Sequence, residues 1–360
     1  MHVVHVETGR HFYGGAQQVI WLMQGLETRG VDNTLVCLPD AAIYRVASDA
    51  GLDVRPLPCA GDLDLRFVFR LRQLLGDLSP DLVHCHSRRG ADFLGRQAAR
   101  MAGLPAVVSR RVDNPESRIV AALRYRGFAR VIAISHHIAS LLQENGLDPA
   151  RITVIRDAVD VDRFPAQPSC DAFRREFGIG TSTFTIAVVA QLIERKGHRY
   201  LLDALAHLER LQELRVLIFG TGAEEERLRA QVREQILDSV VTMAGFRPDV
   251  DVFLGCVDLL VHPALREGMG VAMLKAAAAG VPVVAFDTAG AKEAVADDVT
   301  GLLVPPANTR ALAAAIDALR RDPERRAAMG EAARQRMRDE FAVRSMVEKH
   351  IEVYRQVAGD

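Results

Sequence analysis

The stretch Asp258-Leu-Leu-Val-His262-Pro263-Ala-Leu-Arg266-Glu267-Gly268-Met269-Gly270-Val271-Ala-Met-Leu-Lys275-Ala-Ala-Ala-Ala-Gly280 decides how this chain is read. Leu259 to Val261 is a short apolar run, and Pro263 stops it because proline has no N–H to give a strand ladder. Arg266, Glu267 and two glycines follow in a loop. Val271 to Ala279 is apolar apart from Lys275 and reads as a buried helix, which Gly280 ends from the left-handed conformation. After Pro282, Val283 to Phe286 is a second strand. Strand, loop, buried helix, strand puts a helix N-terminus at the carboxyl edge of a parallel sheet, where ligands bind. Free N–H groups of the first turn favour an anion such as a diphosphate, and glycines at 268 and 270 let the backbone approach it. Glu267 adds two acceptor oxygens, which suit hydroxyl groups such as those of a sugar.

Outward from this unit the same pattern recurs. Phe184 to Val189, Leu214 to Phe219 and Val240 to Met243 read as further strands, with helices near 197–209, 222–236, 249–255 and 309–320. Upstream, strands at Val3 to Val6, Thr34 to Leu38, Val54 to Leu57, Leu82 to Cys85, Ala106 to Ser109, Val131 to Ile134 and Thr153 to Ile155 alternate with helical patterns at about 16–26, 41–50, 64–77, 90–102, 115–127 and 136–145. Alternation at this spacing means parallel sheets covered on both faces. Pro165-Ala-Gln-Pro168-Ser reads as a hinge. The expected domains are therefore 1–164 and 165–342.

Nearly half of the 360 residues are apolar, a quarter are charged and the formal net charge is −1. The N-terminus reads as a strand rather than a signal peptide, and no apolar run reaches the length of a membrane span. The five cysteines are scattered, odd in number and mostly within apolar runs, so buried thiols in a reducing cytoplasm are expected. Between Arg88 and Arg130 ten arginines face three acids. That local excess points to anionic partners, since the guanidinium fork matches phosphate and carboxylate. Nucleic acid is not among the expected partners.

Glu267-Gly-Met-Gly-Val, Gly280-Val-Pro-Val-Val, Gly290-Ala-Lys-Glu293 and Gly301-Leu-Leu-Val-Pro-Pro306 together resemble the retaining GT-B glycosyltransferases, the group that includes glycogen and sucrose synthases. The resemblance covers nearly the whole chain. It implies an α/β fold of two Rossmann-like, doubly wound domains facing a cleft, the second holding a UDP- or GDP-linked sugar and the first an acceptor. By the same resemblance the last helix, in 343–360, crosses back and is assigned to the first domain. It further implies transfer with retention; the arginine pairs make an anionic glycan or lipid-linked acceptor, as in surface polysaccharide or lipopolysaccharide assembly, the expected one, and with arginine, lysine and helix dipoles supplying positive charge no metal or other cofactor is expected. The chain would work in the cytoplasm, at the inner membrane face where peripheral association with anionic lipid is expected. Rival readings are a sugar-nucleotide epimerase or hydrolase of the same fold and a non-catalytic nucleotide-sugar sensor.

Residue by residue, the resemblance makes Glu267, Lys196 and Arg195 the catalytic set: Glu267 holds sugar hydroxyls and the two cations meet the leaving diphosphate. The family's arginine five residues before the lysine is Gln191 here, so Arg195 stands in for it. Gly14, Gly15, Gly220, Gly222, Phe246, Arg247, Gly268, Met269, Gly270 and Val271 fall to the donor site. Lys275 stands where the family usually has a second glutamate that accepts from the ribose; Lys275→Glu is then expected to restore that acceptor. His86, Arg88, Arg89, Arg110 and Arg111 follow apolar runs at strand ends of the first domain and are assigned to the acceptor. His84 and His86 share one face of a strand end, but no third ligand stands at a recognisable spacing, so no metal site is expected.

Overall fold

The computed structural model describes residues 1–87, 90–165 and 168–359. The chain forms two compact units, Met1–Ala158 together with the segment from Val343 onward, and Val159–Ala342. In the first, β1 (His2–Glu7), α1 (Gly14–Glu27), β2 (Asp32–Cys37), α2 (Ala42–Asp49) and β3 (Asp53–Pro56) are followed by α3 (Leu65–Leu78) and β4 (Leu82–Cys85). Then come α4 (Arg96–Met101), β5 (Ala106–Arg110), α5 (Arg118–Tyr125), β6 (Arg130–Ala133), α6 (His136–Glu144) and β7 (Ile152–Val154). All seven strands are parallel, in the order β3-β2-β1-β4-β5-β6-β7.

The second unit begins with α7 (Asp171–Phe177), β8 (Phe184–Val189), α8 (His198–Leu205), β9 (Leu214–Phe219), α9 (Glu225–Glu234), β10 (Val241–Gly245) and α10 (Val250–Phe253). It continues through β11 (Leu259–His262), α11 (Val271–Ala278), β12 (Val283–Phe286), α12 (Ala289–Ala294), β13 (Gly301–Val304), α13 (Thr309–Arg321) and α14 (Pro323–Glu340). Its parallel sheet runs β10-β9-β8-β11-β12-β13. Continuous burial of Ile186, Val188, Leu259, Val261, Val284 and Phe286 is what a sheet covered on both faces requires. The last helix, α15 (Val343–Ala358), returns to the first unit against α1, burying Val347 and Tyr354 completely. Each such side chain contributes about 2 kcal/mol of burial.

Two features differ from the sequence reading, the domain boundary and the state of the cysteines. The boundary falls at 158/159 rather than 164/165, because Val159 N–H bonds the Phe341 carbonyl and Arg334 holds the Phe164 carbonyl, tying 159–164 to the second unit. Residues 166 and 167 of the expected hinge lie outside the described residues. Cys170 and Cys256 form a disulfide across 86 residues, contrary to the expectation of five thiols, and Cys37, Cys59 and Cys85 are buried and free. Among the described residues, no helix is long and apolar enough to cross a membrane.

Candidate active site

In the second unit the strand order reverses direction between β8 and β11, which pair directly through Leu259 and Ile186. Their following loops are therefore neighbours at the carboxyl edge, the place where ligands of open α/β sheets bind. The two loops are stitched by Leu265 N–H to the Arg195 carbonyl at 2.9 Å. A Cβ at Gly197 would lie 1.9 Å from the Pro263 oxygen, and one at Gly290 2.2 Å from the Glu267 oxygen, so only glycine permits this approach at either position. Gly270, at φ +78°, is the N-cap of α11. Gly268 and Val271 flank that cap, whereas Met269 turns inward and is buried.

Three side chains 71 or fewer residues apart meet here. Glu267 Oε2 accepts from Lys196 Nζ at 2.5 Å and from His262 Nε2 at 2.8 Å, while Oε1 accepts from the Gly268 N–H at 3.1 Å. Burial works to raise the Glu267 carboxyl, but the Lys196 ammonium and the His262 hydrogen bond outweigh it and hold the group well below the usual carboxylate range. Burial lowers His262, partly offset by its bond to Glu267, and it pushes His198 down to about 4, so both imidazoles are neutral at pH 7. The outcome is an ionised carboxylate beside a cation at a helix N-terminus. Arg195 donates to the Arg266 carbonyl at 3.3 Å, so it braces the Glu267 loop.

The other expected donor residues of this unit lie on the loops after β8, β9 and β10 and on α11. Gln191 lies in the loop after β8, and Gly220 and Gly222 in the loop after β9, where Leu192 N–H bonds the Thr221 carbonyl. Phe246 is exposed after β10, while Arg247 is occupied by Asp249 and Glu176. Lys275 is half-buried and pairs with Asp251 rather than Glu267: its ammonium bonds Asp251 Oδ2 at 2.7 Å, and Asp251 Oδ1 is buried with no hydrogen-bond partner. A carboxylate thus stands beside position 275 already, contributed by α10. Lys275→Glu would set two carboxylates together. We expect it to bind a nucleotide sugar more weakly than Lys275→Ala does, and the charge-reversed pair Asp251→Lys with Lys275→Glu to recover; titration calorimetry reads both.

In the first unit Gly14 and Gly15 are the opening residues of α1, and Gly15 packs on the Arg111 side chain. Arg110 and Arg111, expected to face an acceptor, are buried against carboxylates instead: Arg110 pairs with Glu116 at 3.2 Å and Arg111 with Asp157. Arg88 and Arg89 lie outside the described residues. His86 bonds His5 at 2.9 Å, and His84 bonds Tyr354 at 2.6 Å and Ser109 at 2.8 Å. His5, His84 and His86 have ligand atoms within 4.8 Å of one another, so tertiary structure brings in the third imidazole that spacing did not reveal. Both nitrogens of His84 are engaged by Tyr354 and Ser109, whereas His5 Nε2 and His86 Nδ1 are buried without a hydrogen-bond partner. A groove of about 1020 Å³, lined by Thr8, Arg10, Asp62, Leu63, Leu65 and Arg66, opens near the ends of β1 and β2. Sequence reading passed over His262, Asp251 and this groove. The one available signal was that His262 is the sole polar residue of its strand.

Residues 170–336 match the family described as glycosyl transferases group 1, and residues 13–158 match a glycosyl transferase 4-like domain. The 2-deoxystreptamine glucosyltransferase of Streptomyces kanamyceticus is 26% identical over 298 residues, 77% of either chain. A D-inositol 3-phosphate glycosyltransferase of Kineococcus radiotolerans is 33% identical over 61% of this chain and 55% of its own, so the match spans about half of that relative. Among solved structures, Anabaena Alr3699/HepE in complex with UDP-glucose superposes with a TM-score of 0.89 at 22% identity, covering 99% of this chain and 100% of that one. Sucrose-phosphate synthase from Thermosynechococcus elongatus gives 0.84 at 19%, covering 100% and 99%. These structural likenesses show the fold.

Proposed function

Because this chain belongs to the group 1 glycosyltransferases and has their GT-B fold, we propose that it moves a sugar, with retention, from a nucleotide diphosphate sugar to a glycan or lipid-linked acceptor. The observation that carries this reading is the ionised Glu267 held beside Lys196 at the N-terminus of α11. A carboxylate so fixed accepts hydrogen bonds from donor-sugar hydroxyls and orients the anomeric carbon. Lys196 and the first-turn N–H groups of α11 stabilise the charge that grows on the leaving diphosphate. Attack by the acceptor hydroxyl from the leaving-group face breaks the anomeric C–O bond, forms the new one and passes the hydroxyl proton to a phosphate oxygen. UDP is the favoured donor base, since structures of Alr3699/HepE hold UDP and UDP-glucose.

Support for a lipid-linked acceptor comes from the first unit, where α5 exposes Ile119 (74%) and Leu123 (62%) beside the exposed Arg118, Arg124 being paired with Asp92 and Glu116, and Leu63 stands 92% exposed at the groove. A basic, apolar surface of this kind suits an anionic membrane face in polysaccharide assembly. Incubation with labelled nucleotide sugars tests the reading: transfer to an added glycan or lipid acceptor supports it, epimer formation or hydrolysis alone replaces it with a same-fold enzyme, and binding without turnover with a sensor. As Lys196 and α11 supply the positive charge, activity is expected to survive EDTA. Loss in EDTA restored by manganese would remove the metal-independent mechanism.

A further inference from the structure

We propose that His262 is a positioning residue, donating its Nε2–H to Glu267 Oε2 so that the carboxylate keeps its orientation independently of Lys196. The inference rests on the reading of Glu267 as the group that holds the donor sugar. His262 is the last residue of β11, paired in register with Ala285 of β12, and its side chain is buried at 3% exposure. The ladder therefore anchors the imidazole, whereas Glu267 sits in a loop. Two donors converge on Oε2, the ammonium of Lys196 and the imidazole N–H of His262, while the Gly268 N–H takes Oε1. Lys196 has a competing demand, because a diphosphate at the N-terminus of α11 attracts its charge. When the ammonium turns toward phosphate, Oε2 keeps the His262 bond, and the carboxylate plane stays fixed by one donor on each oxygen.

The surroundings of His262 suit a neutral donor. Burial first, then Lys196 and Arg195 from the loop after β8, disfavour a second proton, against which Glu267 favours one, and the neighbouring His198 at the start of α8 is itself neutral. A neutral imidazole has a single N–H, so the bond to Glu267 sets the tautomer. Leu259, Leu260 and Val261 fill the rest of the strand, and the one polar side chain is the one that reaches the carboxylate.

Three variants separate this role from packing. Glutamine places an amide nitrogen at the reach of Nε2; asparagine falls short of it and leucine has no donor. His262→Asn and His262→Leu should lower kcat by about 10- to 100-fold with the KM for nucleotide sugar within about threefold, while His262→Gln recovers to within about fivefold of wild type. Equal loss in the glutamine and asparagine variants, or wild-type kcat in the leucine variant, overturns the proposal. Nitrogen-15 NMR of histidine-labelled protein supplies a readout that needs no turnover and covers the case of a variant that fails to fold. His262 is expected to be protonated on Nε2 at pH 7 and to shift in Glu267→Gln. A proton on Nδ1, or no response to Glu267→Gln, also overturns it. Failure of every nucleotide sugar to react, alongside the expected NMR result, would instead sink the functional reading and leave the His262–Glu267 contact supported.

Discussion

Replacing Glu267 by glutamine is expected to lower kcat for sugar transfer by about 10³-fold, the loss seen when one preorganised electrostatic contact is removed from a water-poor site. The amide keeps the shape and can still accept through its oxygen, but it cannot accept from Lys196 and His262 on one side and from sugar hydroxyls on the other as a carboxylate does. Affinity for the free nucleoside diphosphate should hold or improve, because Lys196 no longer shares its charge with Glu267. A kcat that falls while diphosphate binding persists assigns Glu267 to the sugar; a kcat within about threefold of wild type takes it out of the chemistry. The pH dependence has a definite sign. Glu267 titrates below the carboxylate range in the folded chain, so its contribution to stability is complete above the unfolded value of 4.5 and is lost as pH falls further. Any acid limb of activity near pH 6 therefore belongs to another group.

Mild acid should unfold the first unit before the second. His5, lowered to about 3, His84 and His86, both well below the ordinary range, and His350 of α15, lowered to about 4, share one buried cluster. Burial is the main cause for each, reinforced by the neighbouring imidazoles or by Arg111. Unfolded, all four titrate near 6.5. A lowered histidine pKa means that the unfolded chain binds more protons below 6.5, so stability is complete above that pH and declines as pH falls toward 4. Every histidine of the cluster thus opposes the folded first unit as pH falls below the unfolded value, and four in one place make the penalty large for an ordinary domain. The second unit carries two such histidines, His198, lowered to about 4, and His262, lowered by burial, against four in the first. Trp21 is the single tryptophan and is buried in α1, so its fluorescence reports the first unit alone. The expected midpoint lies between pH 6 and 5 by roughly this linkage. Unchanged Trp21 emission down to pH 4.5 would mean that the cluster takes up protons without opening.

How much of this was legible depends on the range of the interaction that decides it. Alternation of apolar runs and helical patterns is a local property, and it sufficed for two parallel-sheet domains, for the Glu267 loop and for the helix N-terminus at Gly270. Elements without a strong local pattern escaped: β13 is four residues beginning with glycine, and α14 spreads its apolar residues around a polar, arginine-rich helix. Pairings are not readable from local pattern, and only the family resemblance groups Lys196 with Glu267. Which loops become neighbours follows from strand order, and the reversal between β8 and β11 that joins Lys196 to Glu267 is not encoded in any short window. The same reversal between β1 and β4 brings His5 to His84 and His86, and the return of α15 closes Tyr354 over them. Arg110 and Arg111 carry the same lesson. Their charge could be read from composition, but only packing revealed that Glu116 and Asp157 neutralise it, because a buried guanidinium must find a carboxylate wherever the fold provides one.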